Sequence, residues 1–105
     1  TTGQGVATSY VEAAMWFRQA AEQGHAGAHN NLSLCYAKGQ GVTMDVIEAV
    51  KWWRKAANQN DAGAQYNLGV CYRDGSGVEK DVVEAVKWFR LARLSGFERL
   101  KSVRV

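Results

Sequence analysis

Several residue groups in this chain have the types and spacing to do chemistry. GSGVEKDVVEAVKWF, Gly75 to Phe89, sets two glycines one residue apart just before a helical pattern, where backbone N–H groups could cradle a phosphate. His25 and His29 are four apart, a spacing that puts both imidazoles on one helix face and within reach of one metal ion. Cys35 and Cys71 could bridge or act as thiols. Arg90, Arg93, Arg99, Lys101 and Arg104 could meet nucleic-acid phosphates, and four tryptophans could line an apolar pocket.

Internal repetition removes most of these readings. Shifted by 36 residues, segment 12–47 agrees with 48–83 at 19 of 36 positions without a gap, the mark of a tandem array. Trp16, Trp52 and Trp88 fall in phase, as do Cys35 and Cys71, and Leu32 and Leu68. The glycine pair is in phase too, as GQGV at 3–6, GQGV at 39–42 and GSGV at 75–78. A phosphate loop is a single feature entering a helix with further glycines or a Lys-Ser/Thr pair, so this pair reads as a recurring turn. Three tryptophans become register positions of a core, and Trp53 is the extra one, where other copies have Phe17 and Phe89.

The histidines and cysteines yield to the same register. His25 holds the N-cap position that Asp61 fills one unit later, His29 matches Gln65, and no third ligand is implied, whereas a functional zinc site takes at least three. Structural or solvent roles follow, with no metal and no cofactor. Equivalent cysteines on stacked units lie about one helix diameter apart, about 10 Å, beyond disulfide reach, and read as buried thiols. No G-x-S-x-G, no H-E-x-x-H and no carboxylate pair outside the helix caps marks an enzyme.

Composition agrees with a helical array. The 105 residues suit one domain, 47% are apolar and 22% charged, proline is absent and glycine numbers 11, which favours helices punctuated by glycine turns. No apolar run approaches the roughly 18 residues of a membrane span, and no membrane contact is expected. The net charge of +3 is a property of the C-terminal segment: residues 90–105 carry five cations and one Glu, while residues 1–89 carry eight cations and nine anions. The chain begins at Thr1 and reads as a fragment or a processed product, so its compartment stays open.

Each unit reads as two helices. The first, Ala62 to Arg73 in the last complete copy, follows Asp61 as N-cap and carries Ala64, Leu68, Cys71 and Tyr72 at helical spacing. Gly75 closes it in the left-handed conformation, Gly77 allows a second bend, and Val78 folds back over the gap. The second helix follows Asp81, with Glu84 three residues on. Asp45 with Glu48 and Ser9 with Glu12 repeat this capping-box pattern. Val46, Ala49, Val50, Trp53 and Ala57, widened by Trp52 and Ala56, form a stripe broad enough for cover on two sides. Gly24, Asn60 and Gly96, in phase, are expected to end the second helices at positive φ.

AGAQYNLGVCYRDGSGVEKDVVEAVKWFRLA, residues 62–92, closely resembles the Sel-1-like repeat, a relative of the tetratricopeptide repeat. The matching pieces are NLxxCY at 31–36 and 67–72, GxGV at its three places, and EAxxWxRxAxxxG at 12–24 and 84–96, with Asn60 replacing the final Gly in the middle copy. The resemblance implies an all-α fold, an α-solenoid in the form of a right-handed superhelix of stacked antiparallel helix pairs, which acts as an adaptor for other proteins. The array divides into a partial unit 1–24, full units 25–60 and 61–96, and a C-terminal cap or partial helix 97–105. Ser33 departs from the favoured Gly, which Gly69 supplies in the next copy, and is expected to widen the first unit. The opening second helix, about residues 9–23, lacks a preceding partner, so Trp16 or Phe17 would present an apolar edge that invites self-association.

If the tetratricopeptide geometry holds, the first helices line a concave face. A protein or peptide partner would meet Asn30, Asn31, Leu34, Ala37 and Lys38 in one unit and Tyr66, Asn67, Val70, Arg73 and Asp74 in the next. An aromatic, aliphatics, amides and an Arg suit a peptide groove, with anchors for side chains and donors for carbonyls. Nucleic-acid binding through the basic segment is the alternative, and a hydrolase or metal-binding module ranks below it.

Overall fold

The computed structural model describes the backbone of residues 2–104 and the side chains of residues 9–96. Within them lie five helices and no strand: α1 (Thr2–Glu22), α2 (Ala26–Lys38), α3 (Val46–Asn58), α4 (Ala62–Asp74) and α5 (Val82–Arg104). α2 packs most extensively on α3, and α4 on α5. Smaller contacts of α1 with α2, and of α3 with α4, join the pairs. The radius of gyration, 14.9 Å, exceeds the roughly 13 Å of a compact domain this long, as a one-dimensional stack requires.

Local sequence sets the helix ends. Asp61, in extended conformation, accepts Ala64 N–H at 2.9 Å through Oδ2 and so starts α4. His25 starts α2 without a side-chain cap bond. Gly39 (φ 68°) and Gly75 (φ 69°) close α2 and α4, their N–H groups donating to the Cys35 and Cys71 carbonyls. Asp45 and Asp81 accept from the Glu48 and Glu84 N–H groups, each at 3.1 Å. The reciprocal half of the expected capping box is replaced. The Asp45 and Asp81 N–H groups donate to the Tyr36 and Tyr72 carbonyls, each at 2.9 Å, while Glu48 and Glu84 turn to Lys51 and Lys87. This exchange ties the start of each second helix to the end of its own first helix.

The core lies between the helix layers. Leu68, Ala49, Ala56 and Ala64 have no exposed surface, and Val50, Trp53, Cys71 and Trp88 join them in one cluster around α3 and α4. A smaller cluster of Ala21, Leu32 and Trp52 fills the α1–α2–α3 junction. Each fully buried Leu contributes roughly 1.5–3 kcal/mol. α3 is gripped by α2 on one side and α4 on the other, which accounts for the breadth of its apolar stripe.

Both outer helices depart from the sequence expectation. α1 runs through the first GQGV and through Ser9, so Ser9 is no N-cap and residues 3–6 are no turn. α5 passes through Gly96 without a break, whereas Gly24 (φ 91°) and Asn60 (φ 66°) do turn the chain. Residues 97–104 therefore continue α5. Trp16, in phase with Trp52 and Trp88, presents the apolar edge expected of the opening helix: it is 67% exposed, while they are 5% and 7% exposed. No described helix stands on its other side.

Candidate partner-binding surface

The cap at Asp61 and the closure at Gly75 fix the register of α4, and that register puts Tyr66 and Arg73 on one face. Beside them α5 contributes Phe89 and Arg93, and together with Gly63 these side chains line an open cleft of about 620 Å³. Tyr66 is 53% exposed and its ring lies 5.5 Å from that of Phe89, tilted by 50°. Gly69 makes this approach feasible, since a Cβ there would stand 2.7 Å from the Phe89 ring. Arg73 is held by its neighbour: Nε donates to Asp74 Oδ1 at 2.9 Å and Nη2 to Oδ2 at 3.3 Å. This hydrogen bond raises the Arg73 pKa and lowers that of Asp74. A steady guanidinium beside a half-open aromatic step can hold a peptide carbonyl or carboxylate and an apolar side chain together.

The remaining candidates divide by exposure. Asn31 and Lys38 are exposed on α2, while Leu34 and Ala37 are half-buried and pack against the main core cluster. Val70 is half-buried on α4. Asn30 is engaged inside the protein: its Oδ1 accepts Trp53 Nε1–H at 2.8 Å and Asn67 Nδ2–H at 3.4 Å. The two amides thus link α2, α3 and α4. Sequence reasoning did not assign Phe89 and Arg93 to this cleft: Phe89 is in phase with the buried Trp53, which reads as core, and its approach to Gly69 follows from how α5 lies across α4.

The other chemical candidates take structural places. His29 is 3% exposed and donates from Nε2 to the Ala21 carbonyl at 2.6 Å. Gln65, one repeat on, donates from Nε2 to the Ala57 carbonyl at 3.1 Å. His25 is exposed, and among the described residues no three His, Cys, Asp or Glu side chains gather as a metal group. Cys35 and Cys71 are free and buried, and burial pushes both thiols up, helped at Cys71 by the Asp74 carboxylate. Ser33 has no exposed surface and donates to the His29 carbonyl at 2.9 Å. Arg90 and Arg93 are exposed, while the side chains of Arg99, Lys101 and Arg104 lie outside the described residues.

Paired helices stacked in one direction, with an open cleft on a first helix, define an α-solenoid of the tetratricopeptide-like class. The chain belongs to the Sel1 repeat family, whose model matches residues 1–25, 26–61 and 62–97. It is similar to a Sel1 repeat protein from Oxalobacter formigenes (45% identity, TM-score 0.80, 85% of this chain and 37% of that one). It is also similar to c5321, a protective antigen of uropathogenic Escherichia coli with this repeat fold (52% identity, TM-score 0.75, 77% of this chain and 17% of that one). Cysteine rich protein B of Helicobacter pylori is a third likeness (28% identity, TM-score 0.77, 86% of this chain and 68% of that one). The chain thus spans well under two thirds of the first two relatives. No curated protein matches the chain. Sel1-like repeat proteins generally mediate protein–protein interaction and are typically non-catalytic scaffolds.

Proposed function

We propose that this chain is an interaction scaffold, without chemistry of its own, that holds a peptide segment of a protein partner along its first helices. The observation that carries this reading is the cleft at Tyr66, where an exposed ring, an anchored Arg73 and the α5 wall of Phe89 and Arg93 converge. In this reading the partner also meets Asn31, Lys38, Asn67, Val70 and Asp74 along α2 and α4. Asn30 supports the surface from beneath by fixing Trp53, and Leu34 by packing on the core. The surface offers an aromatic anchor and charge-assisted donors, the combination that concentrates binding energy in a few residues.

Peptide-display selection on the chain, followed by calorimetric titration of a selected peptide, tests the reading. The double variant Tyr66→Ala, Arg73→Ala is expected to bind at least about tenfold more weakly, as hot-spot truncation does, while its melting stays close to that of the parent. Unchanged affinity would reject this surface.

A further inference from the structure

Helix α5, the counterpart of α3 one repeat later, carries an apolar groove. The groove, about 490 Å³ and open, runs past Val82, Val83, Val86 and Leu94, with Lys87 and Arg90 at its lips. The four apolar side chains are 58%, 81%, 42% and 53% exposed. On α3 the same register is in part covered. Val50, the counterpart of Val86, is 5% exposed, and Arg54, the counterpart of Arg90, donates to the Tyr72 hydroxyl at 2.7 Å. On α5 the outward side is also more apolar, because Leu91 and Leu94 stand where α3 has Lys55 and Asn58.

On the opposite side of the described helices, α1 shows the complementary pattern. Val11, Met15 and Trp16 are 45%, 58% and 67% exposed. Glu12 and Glu22 are exposed beside them, while Arg18, the one cation of α1, donates to the Tyr36 hydroxyl. The net charge around this apolar strip is acidic, two carboxylates against the one guanidinium, which a neutral hydroxyl leaves fully charged. Around the α5 groove it is basic: Lys87 is shared with Glu84 at 3.0 Å, and Arg90 has no ion pair among the described residues.

We propose that a second copy of this chain seats its α1 in the α5 groove, head to tail. Val11, Met15 and Trp16 enter between Val83, Val86 and Leu94, and Glu12 and Glu22 approach Lys87 and Arg90. Pairing α5 with α5, or α1 with α1, would instead bring like charges together, which disfavours a two-fold dimer. The contact joins two different surfaces, so both ends of every dimer stay open and growth continues with concentration. One helix against one groove buries less than a standard interface, and the association is accordingly weak.

Sedimentation equilibrium of this chain, from about 10 µM to about 1 mM, the range in which weak contacts populate, reads the proposal. The mean mass is expected to rise past that of a dimer. Trp16→Glu blocks one surface and Leu94→Glu the other; both positions are exposed, so the fold should persist, as circular dichroism would verify. Each variant alone is expected to stay monomeric, and an equimolar mixture to form a one-to-one dimer, because each supplies the surface the other lacks. A monomeric parent at the highest concentration, a single variant that still dimerises, or a mixture that stays monomeric would each overturn the proposal. Met15→Glu and Val83→Glu serve as the second pair if either first variant loses helicity.

Discussion

Asn30 Oδ1 accepts a 2.8 Å hydrogen bond from Trp53 Nε1–H, and one repeat later the same two positions hold Tyr66 and Phe89, whose rings meet 5.5 Å apart. A single junction of first and second helix is thus joined by a polar contact in one unit and an aromatic contact in the next. Asn30→Ala removes the acceptor from a buried indole N–H and should cost about 1–3 kcal/mol in urea unfolding. Adding Trp53→Phe removes the orphaned donor and should recover part of that loss. Additive losses from the two substitutions would show that the bond carries no coupling.

His29 and Gln65 do the same work with different chemistry, each donating to the last-turn carbonyl of the preceding second helix. His29→Gln should therefore unfold within about 1 kcal/mol of the parent, as a shape-preserving exchange does. His29→Leu keeps the bulk but loses the donor to Ala21 O, and should cost about 0.5–1.5 kcal/mol. If Gln proves as damaging as Leu, stacking of His29 on Trp52, at 5.3 Å, is the dominant contact.

The helix pairs and their turns were legible in the sequence because the period shows what recurs, while the outer helices were not. At Gly39 and Gly75 the left-handed residue closes a first helix, and Gly41 and Gly77 seat their loops on the preceding second helix at Tyr10 and Val46. A glycine permits such a turn and does not impose one, and residues 3–6 close no described first helix, so they are absorbed into α1. Gly96 illustrates the same point: Asp61 starts a helix after Asn60, but Phe97 at the equivalent place has no side chain to cap one. The cleft was half legible. Period assigned Tyr66 and Arg73 to the first helix, but the Phe89 and Arg93 wall depends on how α5 lies across α4, which no spacing encodes. The bond of Asn30 to Trp53 was not legible for a related reason: the two are 23 residues apart.

Stability should fall on the alkaline side through the two buried thiols. Burial raises both Cys35 and Cys71, with Asp74 adding to the second. An unfolded thiol ionises above about pH 8.5, whereas the folded ones keep their protons to higher pH. The favourable contribution is therefore complete below about pH 8.5 and is lost as pH rises through the elevated folded values. The stability difference between the parent and the Cys35→Ala, Cys71→Ala variant should shrink across that window, since the variant retains every tyrosine and lysine. A difference constant with pH would contradict the assignment.

Gly77 and Gly24 separate backbone strain from loop docking. Both have positive φ, 71° and 91°, so an Ala at either pays the left-handed penalty of roughly 1–2 kcal/mol. At Gly24 a Cβ would meet nothing within 4 Å, and strain is the whole cost. At Gly77 it would stand 2.8 Å from Val50 Cγ2, 2.9 Å from Val46 Cγ1 and 2.9 Å from the Val46 carbonyl, which is backbone and cannot swing aside. Gly77→Ala should therefore exceed Gly24→Ala by a further 1–3 kcal/mol or so, the range of overpacking, in chemical unfolding. Because the loop bridges α3 and α5, the excess should appear as loss of cooperativity between the two units, read as a lower denaturant slope. Equal costs at the two glycines would mean that the loop does not hold the units together, and that stacking rests on the Leu68 and Trp53 contacts alone.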